Sequence, residues 1–172
     1  IPEEWDVDGG IAWVFDNPGA PAVASFTVSD PDSLAELELL PAHSFFSTQN
    51  PYTLSLFPVG SKYYGNEVRA WPPLGPLDTL KDIIIPEFRG SVTNLQIIPE
   101  EESTEEESLD EIADLLRAGI PQTDPTTIEA GKIRIEYEQD GVLMEEEIYC
   151  VIEKVSFVTN YLFQDYNNTL WM

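Results

Sequence analysis

The 172-residue chain contains one cysteine, one histidine and only eight lysines and arginines, and each scarcity excludes a class of chemistry. A single thiol, Cys150, permits no internal disulfide and no cysteine-based zinc site. With His43 as the sole imidazole, a zinc centre would need mostly carboxylate ligands, which zinc seldom accepts alone. A Ser-His-acid triad could use only His43, and no G-x-S-x-G elbow, P-loop or G-x-G-x-x-G run occurs. Nothing in the sequence calls for a cofactor or a metal. No apolar run approaches bilayer length, so no membrane insertion is expected. Eight bases face 32 acids, a net charge of −24, and such a field repels phosphate backbones and anionic headgroups. Nucleic acid is therefore not an expected partner, whereas a divalent cation or a basic protein surface is compatible.

What is present is ordinary globular material. Hydrophobic residues make up 42% and aromatics 11%, enough for one domain with a real core. We expect a single α+β domain over 1–172: an antiparallel sheet, arranged as a meander, with two helices packed on it. The chain opens at Ile1 and stops at "NNTLWM", inside what reads as a strand. It is therefore expected to be trimmed at both ends, with any targeting peptide lying outside it.

Strands are expected at 11–15 and 22–29. Residues 34–40 alternate cleanly, Leu37 and Leu39 against Glu36 and Glu38, giving one apolar and one wet face. Residues 52–57 read as a fourth strand. The stretch 58–76 is dense in glycine, proline and aromatics without a period, so it reads as a long loop. Its Tyr63, Tyr64 and Trp71 are the candidate binding residues, rigid rings with polar tips suited to protein or sugar contact; the alternative is that they fold back over the sheet. Asp78 is expected to cap a helix carrying Leu80, Ile83, Ile84 and Phe88 on one face. Pro86 would kink or end that helix and Gly90 would close it. Residues 92–98 read as a strand.

Nine acids lie between 100 and 114, and deleting them would still leave −15, so acidity is spread over the domain. Ser103 to Glu106 forms a capping box ahead of Leu109, Ile112, Leu115 and Leu116 at helical spacing, with Gly119-Ile120-Pro121 as the stop. Acids in a first turn complement the helix dipole, so the run is read as a helix start. It lacks the alternating ligands and turn glycine of a Ca²⁺ loop. "DVDGG" resembles the opening of an EF-hand loop, but Asn17 stands where the twelfth-position acid is required.

The clearest signal is Asp140-Gly141, a two-residue hairpin turn. It sets Tyr137 opposite Met144, Ile135 opposite Glu146, Ile133 opposite Ile148 and Arg134 opposite Glu147. Glu146 then falls on the apolar face. Either a bulge or edge position turns it out, which is the expectation, or a carboxylate sits at the core edge. "VSFVTNYLF", a turn at "QDYNN" and "TLWM" complete the expected meander.

Four stretches, "IPEEW", "VSDPDSLAELELLP", "PPLGPLDTLKDIIIPEFRG" and "RIEYEQDGVLMEEEIY", together resemble a group of uncharacterised bacterial proteins of the secreted or cell-envelope type. Members of that group continue past the last hairpin with a further strand and a helix, which this chain lacks. The element order also resembles the Mog1/PsbP α/β sandwich, which hosts small-protein adaptors and photosystem accessory subunits. The resemblance implies an extracytoplasmic location and an accessory role, and it carries over no site residue. The functional expectation is a non-catalytic binding or accessory domain engaging a protein partner, with charge favouring a basic one. The alternatives are a carboxylate-dependent hydrolase around Glu146 and His43, and an acidic decoy for a basic groove.

Overall fold

The structure, a computed structural model, describes residues 2–17, 21–98, 113–115, 117–118 and 126–172. In chain order its elements are β1 (Asp6–Trp13), β2 (Ala22–Ser29), β3 (Glu36–Leu39), β4 (Phe45–Thr48), α1 (Pro51–Leu56), β5 (Lys62–Tyr63), β6 (Asn66–Arg69), α2 (Pro76–Thr79), a π-helical turn (Leu80–Ile84), α3 (Ile85–Phe88), β7 (Thr93–Ile98), β8 (Thr126–Gln139), β9 (Val142–Tyr161) and β10 (Gln164–Trp171). The class is α+β, dominated by strands. Two sheets form: β1-β2-β3, and a seven-stranded sheet ordered β5-β6-β4-β10-β9-β8-β7. All pairings are antiparallel except β4 with β6.

The β8–β9 hairpin organises the large sheet. Asp140 and Gly141 take positive φ of 53° and 79°, as a two-residue turn matched to strand twist requires. The register places Tyr137, Ile135 and Ile133 opposite Met144, Glu146 and Ile148, as the sequence dictates. β9 takes in "VSFVTNY" and runs unbroken to Tyr161, and its turn is Leu162-Phe163 (φ 52° and 66°) rather than "QDYNN", which belongs to β10.

The α2–α3 segment lies on the inner face of this sheet. Leu80 and Ile85 join Ile133, Ile135, Tyr137 and Ile148 in one core cluster; Ile83 joins Phe45, Ile152 and Trp171 in a second. Gly131 lets the segment approach, because a Cβ there would lie 2.7 Å from the Pro76 side chain. The helix begins at Pro76 behind Gly75, not at an Asp78 cap. It also runs past Pro86. A proline ring would strike the carbonyl four residues back, and the preceding turn widens, with Ile85 N–H donating to Leu80 O, five residues earlier.

Two other segments differ from expectation. Residues 51–56 form helix α1, not a strand: the Asn50 side chain accepts from the N–H groups of Tyr52 (2.9 Å) and Thr53 (3.4 Å), and Pro51 opens the helix. The stretch 58–76 is no featureless loop, since β5 and β6 form a tight hairpin through Tyr64-Gly65 (φ 48° and 84°). Strand β7 appears where expected, with a bulge between Thr93 and Gln96. The expected helix start at 103–106 lies outside the described residues; residues 113–115 and 117–118 are helical.

The β4–β10 seam is polar yet satisfied. Trp171 Nε1 donates to Ser47 Oγ (3.1 Å), and Thr48 Oγ1 donates to Asn168 Oδ1 (2.7 Å). Asn168 Nδ2 donates in turn to Thr159 Oγ1 and Tyr166 O, both at 3.0 Å. Buried groups paired in this way fix which strands meet without a large desolvation cost.

Candidate binding surface

The three aromatic candidates of 58–76 have different surroundings. Tyr63 stacks on Phe46, with centroids 4.5 Å apart, and meets Phe57 edge-on at 5.0 Å, so it is half-buried packing. Trp71 is half-buried as well. Tyr64, edge-on to Tyr63 at 4.8 Å, is the exposed one, at the head of the β5–β6 turn. That turn packs on the end of the β1 segment: a Cβ at Gly65 would lie 2.5 Å from Asn17 Cβ and 2.6 Å from Asp16 O.

Glu146 is not turned out by a bulge. It pairs with Ile135 in an unbroken ladder, and Arg89 answers its charge. Arg89 Nε donates to Glu146 Oε2 at 2.7 Å and Nη2 to Oε1 at 2.8 Å, a two-point grip. Nη2 also donates to Glu38 Oε2 on β3 at 2.8 Å. Burial disfavours the guanidinium charge, but the two carboxylates outweigh it and hold the Arg89 pKa above its ordinary value. Burial first, and the Glu146 charge second, raise the Tyr137 pKa, with Arg89 pulling the other way. Both oxygens of Glu146 are thus engaged in structure.

His43 keeps other company. Its ring stacks on Phe45 and meets Phe88 edge-on, and its Nε2 lies 3.7 Å from Glu87 Oε2 without a hydrogen bond. No contact joins His43 to Glu146 among the described residues. A hollow of about 380 Å³ opens at β1–β2, lined by Gly9, Gly10, Ile11, Ala12, Val23, Ser25 and Pro41, none of which titrates. Cys150 packs at the core edge, where burial pushes its thiol up to about 11, so thiolate is scarce at neutral pH.

The feature that sequence reasoning missed is the small sheet. Register puts Val7, Ile11 and Trp13 of β1, Ala24, Phe26 and Val28 of β2, and Leu37 and Leu39 of β3 on one face. Val28, flanked across the ladder by Val7 and Leu37, is buried. Val7, Ile11, Trp13, Leu37 and Leu39 are 55–66% exposed, so the apolar face expected to meet a core meets water. The reverse face carries Asp6, Asp8, Glu36 and Glu38. Contacts between this sheet segment and the rest of the described residues include Glu38 to Arg89, Asn17 Nδ2 donating to Ser44 Oγ at 2.6 Å, and Gly65 against Asn17.

Charge sets this region apart as well. The first lysine or arginine is Lys62; before it stand nine acids, Glu3, Glu4, Asp6, Asp8, Asp16, Asp30, Asp32, Glu36 and Glu38. Among the described residues only Glu38 of these meets a cation. The large sheet, in contrast, pairs its bases: Lys132 with Glu147, Arg134 with Glu145, Lys154 with Glu129. Two signals could have found the surface, the odd-numbered apolar set Val7, Ile11 and Trp13, and the base-free first third of the chain. Compared with family models, curated proteins and solved structures, the chain matches none.

Proposed function

We propose that the chain is a non-catalytic binding domain that engages a basic protein partner through the apolar face of its small sheet, as an accessory protein outside the cytoplasm. One observation carries the reading: five apolar side chains of one sheet face stand open, in a region with nine acids and no lysine or arginine. Three strands are marginally stable unless an apolar face is covered. Each of the five exposed side chains would contribute on the order of 1 kcal/mol if covered. Contiguous apolar patches rimmed by charge mark association sites, and the acids would steer a basic partner in a salt-sensitive way.

Tyr64 is exposed on the turn that packs on Asp16 and Asn17 just beyond β1, which leaves it free for a partner; Tyr63 and Trp71, both half-buried, would support rather than contact. The hydrolase alternative gains nothing from Glu146, gripped by Arg89, or from His43, which has different neighbours. The extracytoplasmic placement and accessory role rest on the resemblance to secreted and envelope proteins and on the Mog1/PsbP-like element order.

The test is a photo-crosslinking amino acid placed at Ile11 or at Leu143, an exposed position beside the β8–β9 turn, in cells that make the protein. The reading expects a discrete protein adduct at Ile11 that disappears with Leu37→Asp, and none at Leu143. The same adducts at both positions would contradict it.

A further inference from the structure

The dimensions of the small sheet say what kind of element fits it. Three strands about 4.8 Å apart present a face roughly 14 Å wide, and the eight residues of β1 and of β2 extend it to about 26 Å. A single α-helix is about 10–12 Å across with its side chains and covers 26 Å in about 17 residues. One helix therefore suffices to cover the face. The molecule already uses this solution elsewhere: the α2–α3 segment covers the inner face of β8–β9, with Leu80 and Ile85 seated among Ile133, Ile135 and Ile148.

Two other occupants fit less well. A strand added along the free edge of β1 would need a regular ladder, but Gly9 sits mid-strand at φ +128°, held so close to β2 that a Cβ would lie 2.2 Å from Ser25 O. Asp6 and Asp8 add charge to that strand, a common guard against strand addition. A second copy would bring two chains of −24 together, with no base in the small sheet of either to offset the repulsion. The nine acids of a stretch without lysine or arginine, of which only Glu38 meets a cation among the described residues, instead match a partner with lysine or arginine beside its apolar stripe.

Resting on the proposed binding role, we infer that the apolar face of β1–β3 is a docking platform for an amphipathic helix of a partner protein, about 17 residues long and flanked by basic residues. Its apolar stripe covers Val7, Ile11, Trp13, Leu37 and Leu39, and its bases answer the acids of the base-free first third of the chain.

The test uses two synthetic 18-residue peptides of identical leucine and lysine content. One has leucines at helical spacing, and the other has leucine and lysine in strict alternation. Affinities are measured for the 172-residue chain and for its Ile11→Ser and Leu37→Ser variants, with circular dichroism to verify that each variant is folded. The inference expects the helical-period peptide to bind at least 10-fold more tightly than the alternating one, and to lose at least 10-fold with either serine variant. An alternating peptide that binds as well, yet still weakens with the serine variants, overturns the helix while leaving the binding face in place. Serine variants indistinguishable from the parent overturn the binding face too, because charge alone would then account for the affinity.

Discussion

Ile133, Ile135 and Ile148 in the large sheet and Val7, Ile11 and Leu37 in the small one come from the same kind of alternating strand, yet the first set is buried and the second meets water. The difference lies in the neighbours that pack on each set of strands. β8–β9 receives the α2–α3 segment on one face and the pairs Lys132–Glu147 and Arg134–Glu145 on the other; among the described residues β1–β3 receives no helix and only the Glu38–Arg89 pair. Alternation makes a face apolar, and only a tertiary neighbour makes it a core. The same pattern that stabilises one sheet from within leaves the other with an apolar face open to water.

The sharpest way to break this comparison is to remove a tryptophan from each sheet. Trp171 is buried against Phe45, with ring centroids 4.3 Å apart. Trp171→Ala is expected to cost about 3–5 kcal/mol in chemical denaturation, whereas Trp13→Ala in the small sheet changes stability by about 0.5 kcal/mol or less. Similar losses at both sites would mean that the small sheet's face is covered after all.

Cys150 sharpens the comparison from the edge of the core. Its thiol, raised from 9.0 to about 11 by burial, should carry about 100-fold less thiolate at pH 8 than in the unfolded chain, and label correspondingly more slowly with a thiol reagent. The sign of the linked stability effect is set by the folded state, which holds the proton more tightly. Stability present below pH 9 is therefore lost between pH 9 and 11. Cys150→Ala should flatten that decline in a pH series of denaturation curves.

The smallest effect is at the joint between the sheets. Arg89→Met leaves Glu146 largely buried without its partner and releases Glu38. The expected cost is about 2 kcal/mol, below that of a fully buried pair because both groups keep some water. Pairing Arg89→Met with Glu146→Leu should recover most of it. A single-variant loss no greater than a surface substitution would mean that the pair does not hold the joint.

How much of this was legible in the sequence depended on how local the cause was. Asp140-Gly141 fixes its own turn and, through it, the whole β8–β9 register, so that hairpin was readable residue by residue. The Asn50-Pro51 cap was equally local but was overlooked beside the short alternation in "YTLSLF", and the cap prevails because it satisfies the first N–H groups of α1. Leu162-Phe163 and Tyr64-Gly65 were not recognisable as turns, since bulky residues seldom take positive φ. The fate of Glu146 was hidden for another reason: its partner Arg89 is 57 positions away, and no local period reports an ion pair. The open face of β1–β3 was half-legible. Its alternation was visible at Leu37 and Leu39, but its exposure is set by what fails to pack there.

Hydroxyl-radical footprinting of the tryptophans tests the central claim most directly, because Trp13 and Trp171 report the two sheets in one experiment. The account predicts that Trp13 oxidises rapidly and Trp171 slowly in the free chain, and that a lysine-flanked amphipathic helical peptide at saturating concentration slows Trp13 alone. Equal, slow oxidation of both tryptophans in the free chain, or peptide binding that leaves Trp13 as reactive as before, would contradict it.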